Sequence, residues 1–315
     1  MNYILPVQIG AVDMANIKQS LIFKIKWLKS SYFHKFHTNS KTNLEDKLGG
    51  YLAGLIEGDG YISINNKNKA LLGITFHIKD LPLALKLLDV INKRFLIKKG
   101  YIANRKQNKS FELRFTSKAN LEYIILLING KFRTPKIQQL YLLIDWMNKN
   151  HGTSIDKLPL DTSPLDTNAW LAGFIDADGG FYIRFSLKQL ICKFHLEQRQ
   201  IYPKTLESYE TILSKICLFL QVKLFTRNRG SYKNSCYQIR VERQASINLL
   251  INYLDQHTLL SSKYLDYLDW KSAFTIIYNK DHFTLKGRND ILSSKNNMNN
   301  KRIYFNWDHL KNINL

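Results

Sequence analysis

With 315 residues and 45% hydrophobic side chains, the chain can supply two ordinary domain cores. Its 46 Lys and Arg against 25 Asp and Glu leave a formal charge of +21, more than solubility requires and suited to a polyanion. Seventeen Tyr and seventeen Phe exclude a disordered basic tail, no apolar run reaches the roughly eighteen residues that span a bilayer, and Cys192, Cys217 and Cys236 are too scattered for a zinc cluster and odd in number for a disulfide framework.

Residues 1–44 form an N-terminal extension that is apolar to Ala15, then lysine-rich, without a secretory pattern. Beyond it the chain is a tandem duplication: LGGYLAGLIEGDGYISI at 48–64 recurs as NAWLAGFIDADGGFYIRF at 168–185. The predicted units are 45–150 and 168–315, joined by a linker at 151–167 that holds Pro159 and Pro164. After the first copy, YISIN and ALLGITFHI alternate as a hairpin, and Asp80-Leu81-Pro82 opens a helix to residue 94. Strands at 97–104 and 110–115 and helices at 118–128 and 134–148 follow. The second unit predicts strands at 181–188 and 191–198, a helix at 205–220, strands at 222–228 and 236–243, and helices at 245–253 and 261–278. The fold class is therefore α+β, two pseudo-symmetric αββαββα repeats.

Both motifs carry small residues every fourth position: Gly50, Gly54 and Gly58, then Ala169, Gly173 and Ala177. A glycine inside a helix costs about 1 kcal/mol relative to alanine, so this stripe needs a close backbone partner, and the other motif helix is the natural one. Each helix ends in two acids and a glycine: Glu57, Asp59 and Gly60, then Asp176, Asp178 and Gly179. A helix C-terminus already carries partial negative charge, which a bound divalent cation would offset. One Asp-Gly by itself would simply mark a turn. Two copies, each ending a small-residue helix and each followed by a strand, favour a shared site.

The strands repeat a second pattern, one apolar face and one polar. Phe181, Ile183 and Phe185 alternate with Tyr182, Arg184, Ser186 and Lys188; Ile239 and Val241 alternate with Gln238 and Arg240; Arg114 points outward in FELRF. Lys193 lies within the predicted strand 191–198 and Arg199 just beyond it. Such side chains read base edges in a major groove that admits a β-ribbon. Lys67, Lys69, Arg105, Lys106, Lys109, Arg227, Arg229 and Lys233 at the hairpin tips suit phosphates.

LAGLIEGDG and LAGFIDADG resemble the LAGLIDADG motif, present twice as in single-chain homing endonucleases, and the likeness runs over roughly residues 45–305. The resemblance implies a magnesium-dependent DNA endonuclease, with Mn2+ or Ca2+ able to take the same sites, acting as a monomer on double-stranded DNA and not on membranes. It places the metal-binding catalytic acids at Asp59 and Asp178 and further metal ligands at the carbonyls of Gly58 and Ala177. It matches the family's late-helix lysine to Lys263 in LLSSKYLDYLDW, with Lys136 in FRTPKIQQLYLLIDW as counterpart; the alternative for either is a solvated helix-end charge. It also leaves open an RNA-binding maturase that helps its host intron splice. Residues 2–15 resemble a stretch of cytochrome c oxidase subunit 1, which implies an intron-encoded protein of the mitochondrial matrix and a target in the intronless gene for that subunit.

Overall fold

The first repeat runs α1 (Asn43–Asp59), β1 (Gly60–Ile64), β2 (Ala70–His77), α2 (Leu81–Lys93), β3 (Gly100–Asn104), β4 (Ser110–Phe115), α3 (Lys118–Ile128) and α4 (Ile137–His151). The second runs α5 (Trp170–Asp178), β5 (Gly179–Phe185), β6 (Leu190–Arg199), α6 (Glu210–Phe219), β7 (Leu224–Asn228), β8 (Ser235–Val241), α7 (Gln244–Gln256) and α8 (Lys263–Tyr278). Two further helices, α9 (Leu285–Asn296) and α10 (Asp308–Lys311), close the chain. This computed structural model describes residues 43–93, 100–104, 109–186, 189–228 and 235–311. The oxidase-like segment 2–15 and the basic stretch after it lie outside the described residues, as do Arg105, Lys106, Lys188, Arg229 and Lys233.

Two four-stranded antiparallel sheets result, in the orders β1-β2-β4-β3 and β5-β6-β8-β7. Their registers match place for place. Gly60 faces Ile74 as Gly179 faces Leu196, and Gly73 faces Arg114 as His195 faces Arg240.

The periodicities explain which face is buried. In α2 the core positions Leu83, Ala84, Leu87, Val90 and Ile91 form one helical stripe, which meets Leu72, Ile74, Leu113 and Phe115 of the first sheet. In the second repeat the ring of Phe181 packs within 5.2–5.7 Å of Phe194, Tyr267 and Trp270, so α8 lies beneath β5 and β6. The other face of each sheet is left for a ligand.

Helix starts differ from expectation where capping overrides periodicity. The helix expected from residue 205 begins at Glu210, because Tyr202 N bonds Glu207 O at 2.8 Å and Leu206 takes φ 62°, folding residues 201–208 back on themselves. The helices expected from 134 and 261 begin at Ile137 and Lys263, each after a tight turn at Thr134 or Ser261. The segment after residue 151 has one short 3-10 turn, Leu165–Thr167, and is tied down where Asp161 N bonds Phe132 O and Arg133 bridges Asp161 at 2.7 Å.

Candidate active site and nucleic-acid interface

The motif helices approach as closely as backbones allow. A Cβ built on Gly54 would stand 2.0 Å from the carbonyl oxygen of Trp170, and one on Gly173 would stand 2.0 Å from that of Tyr51. At the helix ends a Cβ on Gly58 would lie 2.1 Å from Cβ of Ala177 and 3.2 Å from Oδ2 of Asp178. The small-residue stripe thus brings the two acidic ends together around a pseudo-twofold axis.

The two acids of each motif do different work. Glu57 is buried and accepts five hydrogen bonds from four donors: Arg133 N at 3.0 and 3.1 Å on its two oxygens, Thr134 N at 2.6 Å, Thr134 Oγ1 at 2.5 Å and Trp170 Nε1 at 2.6 Å. Asp176 is bound in the same way by Leu260 N at 2.7 Å, Ser261 N at 3.1 Å, Ser261 Oγ at 2.5 Å and Tyr51 Oη at 2.8 Å. Trp170 and Tyr51 each immediately precede the motif leucine of the other repeat, so the helices exchange matching aromatic hydrogen bonds. Burial pushes the Glu57 carboxyl up to about 7, against the pull of its donors. The residue pattern alone leaves all four helix-end acids as one group, from which the family resemblance singles out Asp59 and Asp178; the structure gives Glu57 and Asp176 to the loops that precede α4 and α8.

Those loops deliver the lysines. Lys136 Nζ donates to the carbonyls of Ile56 (3.0 Å), Gly58 (3.2 Å) and Gly60 (2.9 Å), and Lys263 Nζ to those of Ile175 (3.2 Å), Asp176 (2.7 Å) and Ala177 (2.8 Å). Neither is a solvated helix-end charge. Each neutralises the partial negative charge of a motif helix C-terminus. Burial lowers both, Lys136 to about 8. The start of α8 is also held from the other repeat, since Ser262 N donates to Asp80 Oδ1 at 2.7 Å.

Asp59 and Asp178 emerge beyond this support. Asp59 keeps an exposed flank and Asp178 is half-buried. Desolvation, and then the charge of Asp178, push the Asp59 carboxyl up to about 7, while Lys263 and Lys136 oppose the shift. Asp178 is raised by the same burial. Gln198 Nε2 donates to Asp178 Oδ2 at 2.9 Å, whereas Phe76 holds the matching place in the first sheet. Sequence reasoning missed Gln198, though its register position beside the motif turn marks it.

A divalent cation suits this donor set. Two adjacent carboxylates, each disfavoured as an anion by burial, gain most from a cation, and oxygen ligands are those that hard cations take. The carbonyls of Gly58 and Ala177 already accept from lysine, and each keeps a second lone pair. No group of three or more His, Cys, Asp or Glu able to hold a metal occurs among the described residues.

The open sheet faces carry the remaining candidates. Lys67, Lys69 and Lys109 are exposed beside the first sheet, and Tyr182 and Arg184 are exposed on β5. Ser186 is engaged by its own hairpin, its Oγ accepting from Gln189 N at 3.1 Å. Several are paired: Lys193 with Glu242 at 2.6 Å, Arg227 with Glu197 at 3.1 Å, Arg114 with Glu112 at 2.6 Å. Arg199 is exposed at the end of β6 near Asp178, and Gln238 and Arg240 lie side by side on β8.

Two motif helices packed at an axis, each feeding a four-stranded sheet with one open face, define the two-motif LAGLIDADG class. The family model for the LAGLIDADG endonuclease matches residues 52–147 and again 171–274, and the chain belongs to that family. It is 33% identical over 321 residues to the "Intron-encoded DNA endonuclease aI3" of Saccharomyces cerevisiae, covering 87% of this chain and 75% of that protein. It is 31% identical over 252 residues to the "Uncharacterized cox1 intron-2 37.2 kDa protein" of Schizosaccharomyces pombe, covering 78% of this chain and 71% of that one. Its fold resembles that of the I-SmaMI LAGLIDADG homing endonuclease bound to cleaved DNA, with a TM-score of 0.59 at 24% identity over 84% of this chain and 99% of that one.

Proposed function

We propose that this protein is a site-specific homing endonuclease that makes a double-strand break in a long asymmetric DNA target by metal-dependent phosphodiester hydrolysis. The observation that carries this reading is the pairing of Asp59 and Asp178 at touching helix ends, each beside a lysine seated on motif carbonyls. Asp59 and Asp178, with the free lone pairs of the Gly58 and Ala177 carbonyls, are the groups to hold divalent cations, magnesium in the cell. A cation so held supplies Lewis-acid polarisation of the scissile phosphate and eases deprotonation of a water.

The chain's own residues do the rest. Each acid addresses one strand, and the helix packing fixes their separation, so the two scissile phosphates lie close across a narrowed minor groove and the cuts leave short cohesive ends. Lys136 and Lys263 hold positive charge beside the acids, where negative charge grows during hydrolysis. Lys67, Lys69, Lys109, Arg199 and Arg227, with Arg105, Lys106, Arg229 and Lys233, grip phosphates. Arg114, Tyr182, Arg184, Ser186, Lys188, Lys193 and Arg240 face bases, while Gln238, expected among them, is buried and accepts from Arg240. Bending the duplex onto both sheets costs several kcal/mol, which makes uncontacted central bases matter. Residues 45–150 and 168–315 form the two repeats joined by 151–167, one chain holds both centres, and a monomer suffices.

The target is the joined-exon sequence of the oxidase subunit 1 gene around the codons for Asp13, Met14 and Ala15, and the protein works in the mitochondrial matrix. The oxidase-like residues 2–15 support this, as does likeness to a protein named for a cox1 intron. Incubating the purified chain and Mg2+ with a duplex spanning the joined exons, beside the intron-interrupted version, tests the reading. Cutting of the joined duplex alone is expected. Equal cutting of both refutes the target, and splicing of the host intron RNA without any cutting favours the maturase.

A further inference from the structure

Strands β4 and β8 each present, two residues apart on the open face, an acceptor followed by an arginine: Glu112 and Arg114, then Gln238 and Arg240. The pairs hold matching places. Arg114 faces Gly73 and Arg240 faces His195, each one step from the residue opposite a motif glycine. In the first pair Arg114 donates to one oxygen, Glu112 Oε2, from Nε at 2.7 Å and from Nη2 at 2.6 Å, and Tyr61 Oη donates to the same oxygen at 2.8 Å. In the second, Arg240 Nε donates to Gln238 Oε1 at 2.5 Å, its guanidinium lies 5.2 Å from the centre of the Phe225 ring, and Gln238 Nε2 donates to Glu197 Oε2 at 3.3 Å.

A carboxylate on a face that meets phosphates opposes the field of that face, so general attraction to DNA gives Glu112 no purpose. Glu112 is only 1% exposed, and Tyr61 and Arg114 are among the side chains that bind it. What it does achieve is rotamer control. A lone arginine on a strand samples many rotamers, and one held by its Nε edge is restricted to those that leave its Nη1 end out of that grip. That end carries the paired N–H groups that meet the O6 and N7 of guanine in a major groove.

We propose that Arg114 and Arg240 read guanines at two positions equidistant from the centre of the target, one on each strand, and that Glu112 and Gln238 are the positioning residues that set how strictly each is read. The proposal rests on the DNA-binding reading of the open faces. Arg114, gripped through two nitrogens by a charged oxygen, discriminates more sharply than Arg240, gripped through one by a neutral amide.

Selecting bound duplexes from a randomised library in Ca2+ tests this, using the full chain and sequencing what is retained. Two guanine columns at equal distances from the centre, on opposite strands, are expected. Arg114→Ala should flatten one and Arg240→Ala the other. Glu112→Gln should lower guanine preference roughly 10-fold in the Arg114 column alone, since one well-placed bidentate pair carries discrimination of that order. Melting curves identify any loss of fold; if Glu112→Gln unfolds, Tyr61→Phe, which frees one of the groups gripping Glu112, should weaken the same column less. A Glu112 or Tyr61 variant that keeps the full guanine preference, or selected sites without guanine in either column, overturns the proposal. Because selection is by binding, a chain that enriches the guanine pair yet never cuts supports the reading pair and refutes the nuclease, whereas one that cuts a target lacking both guanines does the reverse.

Discussion

Gly54→Ala is the sharpest perturbation of the helix pair, because two effects of opposite sign compete. Alanine favours a helix interior by about 1 kcal/mol over glycine. Its methyl group, however, would stand 2.0 Å from Trp170 O and 2.7 Å from Phe174 N, where carbon contacts settle near 3.5 to 4 Å. Both neighbours are backbone atoms that cannot rotate away, so α5 must shift by more than about 1 Å. Overpacking of this kind costs about 1–3 kcal/mol, and more where nothing yields, so the clash outweighs the propensity. A net loss of about 2 kcal/mol lowers Tm by roughly 4–8 °C in a unit of this size. The same shift moves Asp59 against Asp178, and a misplacement near 1 Å slows catalysis by about 10²-fold. Gly50→Ala is the milder comparison: its Cβ would meet Asn168 Oδ1 at 3.3 Å and Ala169 N at 3.4 Å, contacts that a few tenths of an ångström relieve, so its Tm should fall much less than that of Gly54→Ala. Thermal melting with single-turnover cleavage checks both variants. A Gly54→Ala protein as stable and fast as wild type, or a Gly50→Ala protein equally damaged, would refute close packing at Gly54.

Glu57→Gln replaces an acceptor oxygen with an amide NH2 facing donors such as Trp170 Nε1, which should cost about 1–3 kcal/mol and loosen the loop that carries Lys136; melting curves and cleavage rates should both fall. In EDTA, stability should decline from pH 5 to pH 8. The folded carboxyls of Glu57 and Asp59 are raised to about 7, so the stability they confer is present below their unfolded values near 4 and is lost as pH rises through 7, while Lys136 stays charged in both states until about 8. A flat profile by calorimetry would contradict this. Saturating Mg2+ should raise Tm, by about 2.7 kcal/mol of stability at a hundredfold excess over Kd, and Asp59→Asn should weaken that response. Lys263→Met should slow cleavage much more than it weakens binding; equal losses in both would make it a folding residue only.

The motif, the sheets and the small-residue stripe were legible because each is written in local periodicity: Gly50, Gly54 and Gly58 announce a close helix neighbour before any partner is known. The division of labour between the acids was not. Glu57 is committed by Arg133 and Trp170, 76 and 113 positions away, and Asp176 by Tyr51 and Leu260, 125 and 84 away, so nothing beside either acid distinguishes it from Asp59 or Asp178. The recognition faces were legible in outline, since alternation separates Tyr182 and Arg184 from Phe181 and Ile183. Their internal pairing was hidden, because the partner of Arg227 sits two strands away on β6 and that of Lys193 just past the end of β8, places only the fold's strand order and register supply.

The central claim is that Asp59 and Asp178 are two halves of one cutting site. Single-turnover cleavage of a joined-exon duplex, each strand carrying its own label, measures it most directly. With Mg2+ the wild-type chain should cut both strands a few bases apart, while Asp59→Asn and Asp178→Asn should each bind the duplex and fail to cut at least one strand. Either variant cutting both strands at the wild-type rate would contradict the account.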